Sequence, residues 1–409
     1  MNIIFLTLSR VADIEERGIY TDLMRKFRDE DHDVYVVSPS ERRLKLRTKL
    51  SEQSGVHILN VRTLNIQQTN VVEKGIGTLL LQWQYMWAII RYLRKVEFDL
   101  ILYSTPPITF TSVVRFLKFK SSKAISYLLL KDIFPQNAVD IGMFSKRSLF
   151  YCFFRQREKS LYKASDFIGC MSPANVEYLR AHNPSYQAWR VEVAPNSIEL
   201  RGERGEVRGE MRSAIREKYG LPMDTPIFIY GGNLGKPQGI DYLIRCMDEM
   251  KYRQDCYFVI VGSGTEYPKL KEWYDAELER NQNRLRVKLM LGLPKAEYEQ
   301  LVGACDVGLI FLDHRFTIPN YPSRLLSYLE NKMPVICATD PNTDIGRIAE
   351  ENGYGYWCKS VNPIEFTVLV NRFLAEPERI KTMGERGYQF LKENYLVDHT
   401  YQTIMKHFR

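Results

Sequence analysis

Apolar positions along the chain fall into short runs that alternate with stretches of helical period. In the first half the runs NIIFLTL, DVYVVSP, VHILNV, DLILYST, AISYLLL, DFIGCMS and RVEVAPN are rich in β-branched and aromatic residues, the pattern of buried strands. Between several of them lie stretches with helical spacing, Ile19–Arg28 and Leu79–Lys95 among them. Strands alternating with helices predict a parallel sheet covered on both faces. The segment SIELRGERGEVRGEMR breaks the pattern. It is charged, glycine-bearing and without apolar period, which predicts a linker. A second series follows in PIFIYGG, CYFVIVG, RVKLMLG, DVGLIFL, PVICATD and GYGYWCK. The fold class is therefore α/β, with two Rossmann-like domains at 1–200 and 201–385. The helical tail at 386–409 is expected to pack back on the first domain. Open parallel sheets bind ligands at the carboxyl ends of their strands, so a site is expected in a cleft between the two domains.

Composition narrows this picture. A chain of 409 residues, 45% hydrophobic and 26% charged, has the makeup of an ordinary soluble protein with room for two cores. The most apolar stretch, TLLLQWQYMWAII, is shorter than the ~20 residues of a membrane span. The start, MNIIFLTLSRVADIEERG, lacks a basic lead and reads as a first buried strand, not a signal peptide. Seven scattered cysteines without a C-x-x-C pair predict reduced core thiols in a cytosolic protein. The six histidines lack metal spacing, so no zinc site is expected.

Charge is unevenly placed. Residues 1–200 hold 28 Lys+Arg and 20 Asp+Glu, a balance of +8; the whole chain is 57 − 49 = +8, so residues 201–409 hold 29 of each and are neutral. The first domain is thereby expected to meet an anionic partner. Its clusters ERRLKLRTKL, VVRFLKFKSSK and RSLFYCFFRQREKSLYK interleave cations with apolar side chains. They suit peripheral contact with an anionic membrane, or else are solvated helix faces. No nucleic-acid module accompanies them.

Three loops at strand ends in the neutral half carry candidate chemistry. In YGGNLGKPQGID, after strand PIFIY, Gly231, Gly232, Gly235 and Gly239 permit close backbone approach to an anion, and Lys236 adds a charge. In VGSGTEYPKL, Gly262 and Gly264 precede a helix. In RFTIPNYPSRLLSYLE a helix is expected to start at Pro322, with open amides at Ser323, Arg324 and Leu325 beside the Arg324 charge. Together they predict a nucleoside diphosphate held mainly by dipoles. In the first half, Asp132 ends strand AISYLLL and is the best carboxylate for removing a proton from an acceptor. Its other reading is a cap or a partner for Lys131. Gly18 and Thr105 lie at two further strand ends and are candidate acceptor contacts. The acidic triplets at 29–31 and 31–33 lie between a helix and a strand and read as solvated turns, not as a metal-binding D-x-D.

Taken in order, RGIYTDLMRKFRDEDHDVYVVSP, DLILYSTPPIT, LLKDIFPQNAVDIGMF, VEVAPNSIEL, the glycine loop, VIVGSGTEYPKL, LGLPKAEYEQLVGACDVGLIFL and PSRLLSYLENKMPVI resemble the family 4 retaining glycosyltransferases of GT-B fold. The likeness covers nearly the whole chain. It implies a nucleotide sugar in the second domain, an acceptor in the first and no metal cofactor. Carried over by position, donor contacts fall on Gly232, Asn233, Lys236, Gln238, Gly239, Gly262, Gly264, Leu293, Ser323, Arg324 and Leu325. The chain departs from the family's G-R-L-x-x-x-K-G pattern, placing Asn233 and Gln238 where the two cations stand, and Pro319 and Ser327 where the E-x₇-E carboxylates stand. Lys236, with Arg324, is expected to replace the cations. The N-L-G-x-x-Q-G form is similar to a branch associated with bacterial surface polysaccharides, whose acceptors are often lipid-linked.

The leading expectation is transfer from a nucleotide sugar, most simply a UDP-sugar, to a lipid-linked saccharide at the cytoplasmic leaflet, with Asp132 and Lys236 as catalytic residues. One rival is a non-catalytic partner that kept the fold and lost the Glu pair. A nicotinamide-dependent oxidoreductase would need G-x-G-x-x-G after the first strand, where TLSRVADIEERG stands instead.

Overall fold

The computed structural model describes residues 1–66, 69, 71–200, 202, 209–281 and 284–408, the side chains of 71, 72 and 74 excepted. Of the expected linker, positions 201 and 203–208 lie outside these described residues. The chain divides into two compact units. The first is Met1–Glu199 with Leu396–Arg409, and the second is Leu200–Tyr395.

The first unit is built on β1 (Asn2–Leu6), β2 (Asp33–Glu41), β3 (Lys49–Gln53), β4 (Val56–Thr63), β5 (Leu100–Ser104), β6 (Ile125–Leu130), β7 (Phe167–Cys170) and β8 (Val191–Val193). They form one sheet in the order β3-β4-β2-β1-β5-β6-β7-β8. All neighbours are parallel except β3 and β4, which are antiparallel. The sequence pattern missed β3. It is half-exposed and begins in the last two residues of a stretch read as a basic cluster. Its turn, Ser54–Gly55, has φ of 44° and 79°, the paired positive values that join antiparallel strands tightly.

The second unit is built on β9 (Ile227–Asn233), β10 (Tyr257–Ser263), β11 (Val287–Leu291), β12 (Val307–Phe311), β13 (Val335–Thr339) and β14 (Gly355–Lys359), in the order β11-β10-β9-β12-β13-β14 and parallel throughout. Its core packs Phe228, Phe258, Phe311, Phe366 and Phe373 with Leu243, Met247 and Val370.

The tail differs from the sequence reading. Residues Glu378–Asn394 form one continuous helix that stays with the second unit. Gly384 and Gly387 let it lie close against Lys332 and Leu329, where an added Cβ would come within 1.9 and 2.8 Å of their atoms. The chain joins the first unit only at Leu396, which bridges to Ile198, not at 386. The helix Val397–Met405 then packs on the helix Thr21–Asp29, with Lys26 paired to Asp398 at 2.7 Å.

Candidate functional site

Strand order reverses once in each sheet. In the second unit the connections run from β9 outward through β10 and β11, then cross to β12 on β9's other side. Ligands in open parallel sheets bind at such a reversal, beyond the strand carboxyl ends. Here the two strands also part early. β9 pairs with β12 only at Phe228 and Ile229, whereas its pairing with β10 continues to Asn233. Tyr328 sits where they separate. Its hydroxyl lies 3.2 Å from Ile229 O and 3.3 Å from Leu309 O, and accepts from Gly231 N at 3.2 Å. Gly308 makes room for its ring, since a Cβ there would lie 2.3 Å from it.

Arg324 reaches into this crevice. Its guanidinium lies over the Tyr230 ring at 4.4 Å and 3.5 Å from where a Cβ at Gly232 would stand. Gly232 has φ of +125°, so the backbone there requires glycine, whereas a Cβ would make only ordinary contact with the guanidinium. Nη1 of Arg324 is buried without a hydrogen-bond partner, and no carboxylate pairs with it among the described residues. Tyr230 is locked by donating its hydroxyl to Asn233 O at 2.7 Å. Burial raises the phenol of Tyr298 to about 12; its hydroxyl fills the space beside Gly231. A cation held by phenols and lacking an acid is a ready anion site.

The glycine loop is not the open amide cradle that the sequence suggested. Its amides are largely satisfied internally: Leu234 N donates to Ser263 O (2.9 Å), Gly235 N to Gln238 Oε1 (3.1 Å), Gln238 N to Gly235 O (3.0 Å) and Gly239 N to Lys236 O (3.0 Å). Asn233 Nδ2 also donates to Gln238 Oε1, at 3.2 Å. The two amides that stand in place of the family's cations therefore stitch the loop together. Lys236 is exposed and makes no ion pair among the described residues. Gly262 and Gly264 have a packing duty, because a Cβ at either would meet Gly232 O at 1.9 Å or Leu234 O at 2.3 Å. Gly239, at φ +61°, turns the chain into the helix Ile240–Met250 beside Asp313.

After β12 the helix begins at Arg324, two residues later than expected. Leu325 N folds back to Pro322 O (3.3 Å) and Leu326 N to Ser323 O (3.1 Å). The Leu325 amide is thus occupied, while the Arg324 side chain supplies the charge. Pro319 is buried, and Ser327 Oγ is buried without a partner. Leu293 lies in the turn after β11, two strands from the reversal. The sequence reading missed Tyr230, Tyr298, Tyr328 and Asp313. The last is buried, tied to the loop by its amide (to Pro237 O, 2.9 Å) and paired with Arg315 at 2.7 Å. Burial acts to raise the Asp313 carboxyl, but Arg315 prevails and holds it below its ordinary value.

In the first unit the order reverses between β1 and β5. Gly18 and Thr105 flank that point. Gly18 N donates to Asp22 Oδ1 (2.7 Å), and its carbonyl accepts from Asp22 N (2.8 Å) and Thr21 Oγ1 (3.1 Å). Gly18 therefore fixes the entry to the helix Thr21–Asp29. Thr105 is buried, and its Oγ1 accepts from Lys131 N (2.9 Å) and Asp132 N (3.2 Å). That turn presents Asp132, whose Oδ1 accepts from Asn137 Nδ2 at 2.7 Å. Burial lifts the Asp132 carboxyl to about 6, against a smaller downward pull from Asn137. Lys131 does not pair with it. Its Nζ donates to Ala194 O at 3.2 Å, and burial lowers it to about 7.

The basic clusters divide. Lys118 pairs with Asp166 at 2.5 Å, and Lys120 binds the carbonyls of Leu93 (3.1 Å) and Val96. Arg155 binds Glu158, His182 O and Asn183. These cations hold the fold instead of facing outward together, whereas Arg115 and Phe119 are exposed. Asp29 and Glu30 pair with Arg28 and Lys26. Among the described residues no cluster of acids, His and Cys is placed to hold a metal, and no helix is long and apolar enough to cross a membrane.

Residues 211–390 match the family model described as glycosyl transferases group 1. The chain is similar to the probable glycosyltransferase WbjE of Pseudomonas aeruginosa, 24% identical over 286 residues, covering 66% of this chain and just 64% of that protein. The whole chain also superposes on the Anabaena protein Alr3699/HepE, solved with UDP-glucose, at a TM-score of 0.69 and 15% identity, covering 100% and 99% of the two chains. WaaG, a glycosyltransferase involved in lipopolysaccharide biosynthesis, superposes at 0.64 with 11% identity over 98% of each chain.

Proposed function

We propose that this chain, whose residues 211–390 match the group 1 glycosyltransferases and whose fold is that of HepE and WaaG, is a family 4 enzyme of GT-B fold that transfers a sugar from a UDP-sugar, with retention, to a lipid-linked saccharide in surface polysaccharide synthesis. One observation carries the donor half: the Arg324 guanidinium, seated on Tyr230 under Gly232 with no carboxylate partner among the described residues. A half-buried cation whose Nη1 is shut off from solvent without a partner is costly to leave uncompensated, and a diphosphate would compensate it. Lys236, free at the loop's edge, would supply a second contact. As the sugar leaves, charge grows on the diphosphate, and cations already in place stabilise it without reorganisation. In the first unit, Asp132 near pH 6 is suited to accept the acceptor hydroxyl's proton at neutral pH.

The lipid-linked acceptor and cytoplasmic membrane surface rest on the basic first half and on the involvement of the structurally similar WaaG in lipopolysaccharide biosynthesis. A second reading is a partner protein without turnover, motivated by Pro319 and Ser327 at the carboxylate positions. A thermal-shift panel with a chelator present tests the donor half. UDP should raise the melting temperature and NAD should not; equal shifts, or a UDP shift that needs added Mn²⁺, would contradict it. Slow release of sugar from UDP-sugars by purified protein separates enzyme from partner.

A further inference from the structure

The helix Val71–Tyr92 is apolar on both faces. Leu81, Tyr85, Ala88 and Ile89 are buried on β4 and the helix Thr111–Lys120. On the opposite side Ile76, Leu80, Trp83, Trp87 and Ile90 are between 37 and 70% exposed. Their spacing of four, three, four and three residues puts all five within a stripe roughly 80° wide and ~21 Å long. Single exposed apolar residues need no explanation, but a contiguous stripe with two tryptophans does. Sequence pattern alone suggested an amphipathic stretch from Leu79 to Lys95. The helix instead starts at Val71 and lacks a polar outer face.

Cations rim both ends of the stripe. At its start, the exposed run Arg42–Arg47 carries Arg42, Arg43, Lys45 and Arg47. Leu44 and Leu46 are also exposed there. Arg42 ties this run to the helix through Glu73 at 3.1 Å, and Arg43 N donates to Asn65, which in turn binds Glu73. At its end Arg91, Arg94 and Lys95 are exposed. Glu73 is the one acid between 71 and 95, and it is already engaged with Arg42.

We propose that this face lies in the headgroup layer of an anionic bilayer, the tryptophans at the interface and the cations on lipid phosphates. The charge pattern selects the occupant. A second copy docked face to face would bring like-charged rims together, whereas anionic headgroups complement them. Indole rings favour the boundary between water and acyl chains. The proposal deepens the lipid-linked acceptor reading and rests on it for its purpose, not for its geometry.

The full chain should float with vesicles of 30% phosphatidylglycerol in phosphatidylcholine, less so in 0.5 M salt and on pure phosphatidylcholine. The double variant Trp83→Gln, Trp87→Gln should bind at least tenfold more weakly, with its melting temperature and UDP response unchanged. Undiminished flotation of that variant would overturn the proposal. So would a lipid-free wild-type dimer, seen by sedimentation velocity, that the variant dissolves, since a second copy would then cover the stripe. A chain that floats but ignores UDP would leave this surface standing and sink the donor reading.

Discussion

Each unit reverses its strand order once, and the two reversals are dressed differently. Between β9 and β12 the second unit has a short loop whose amides close on themselves, three phenols and one guanidinium that no carboxylate pairs among the described residues. Between β1 and β5 the first unit has a longer loop anchored by Asp22 and Arg25, and the Thr105 hydroxyl holds the backbone of a half-buried acid, Asp132. Topology fixes where a ligand sits, and side chains fix which ligand. A lone cation suits an anionic leaving group. A carboxyl near neutrality suits a hydroxyl that must lose its proton.

The largest break in this contrast should come from the guanidinium. Arg324→Ala is expected to weaken UDP binding by about 2–5 kcal/mol, as for loss of one partner of a buried charged contact. Arg324→Lys should recover only part of that, because a point charge cannot reproduce the planar fork. Equal affinity of Ala and Lys variants would show that the charge is unused.

Asp132→Asn sharpens the other side. The carboxyl sits near 6 against an ordinary 3.8, so the unfolded chain gives up this proton first as pH rises. Stability from this group is intact below about pH 4, falls between about 4 and 6, and is flat above; two units correspond to about 3 kcal/mol. The Asn variant should therefore be more stable than wild type at pH 8, by up to about 3 kcal/mol, and equal near pH 4. Denaturant melts at the two pH values measure this. Sugar transfer should drop, and the rise in rate across pH 6 should vanish. A variant no more stable at pH 8 would mean that the carboxyl is not strained by burial.

Smaller effects follow at the loop. Lys236→Ala should reduce UDP affinity by about 1–2 kcal/mol, the range of one charge-assisted contact. Unchanged calorimetric affinity would remove Lys236 from the site. Gln238→Ala should cost about 1 kcal/mol of stability, since Gly235 N and Asn233 Nδ2 lose their acceptor. Because the loop's geometry depends on that side chain, UDP binding should weaken modestly as well.

The hydrophobic pattern made most of this fold legible. Buried parallel strands read as continuous apolar runs, and the sequence signalled each of β1, β2 and β4 through β14. The strand it missed, β3, is half-exposed and antiparallel, so it carries neither signature. The site was legible as positions more than as roles. Gly232 and Arg324 meet, but Gly262 and Gly264 turn out to be needed for backbone packing. A glycine after a strand looks the same in sequence whether it admits a ligand or a neighbouring carbonyl. The phenols were hidden because Tyr230 and Tyr328 have the periodicity of ordinary core residues. Pairing also escaped the pattern: Lys118 and Lys120 look like an outward cationic face until Asp166 and the Leu93 carbonyl are placed beside them.

The central claim is that the reversal between β9 and β12 holds a nucleoside diphosphate on Arg324. Isothermal titration of UDP into wild type and Arg324→Ala, both with a chelator present and both shown folded by circular dichroism, tests it most directly. The account predicts saturable one-site binding to wild type and at least a thirtyfold loss in the variant, the factor that about 2 kcal/mol implies. Equal binding by both proteins, or none by wild type unless a divalent metal is added, would contradict it.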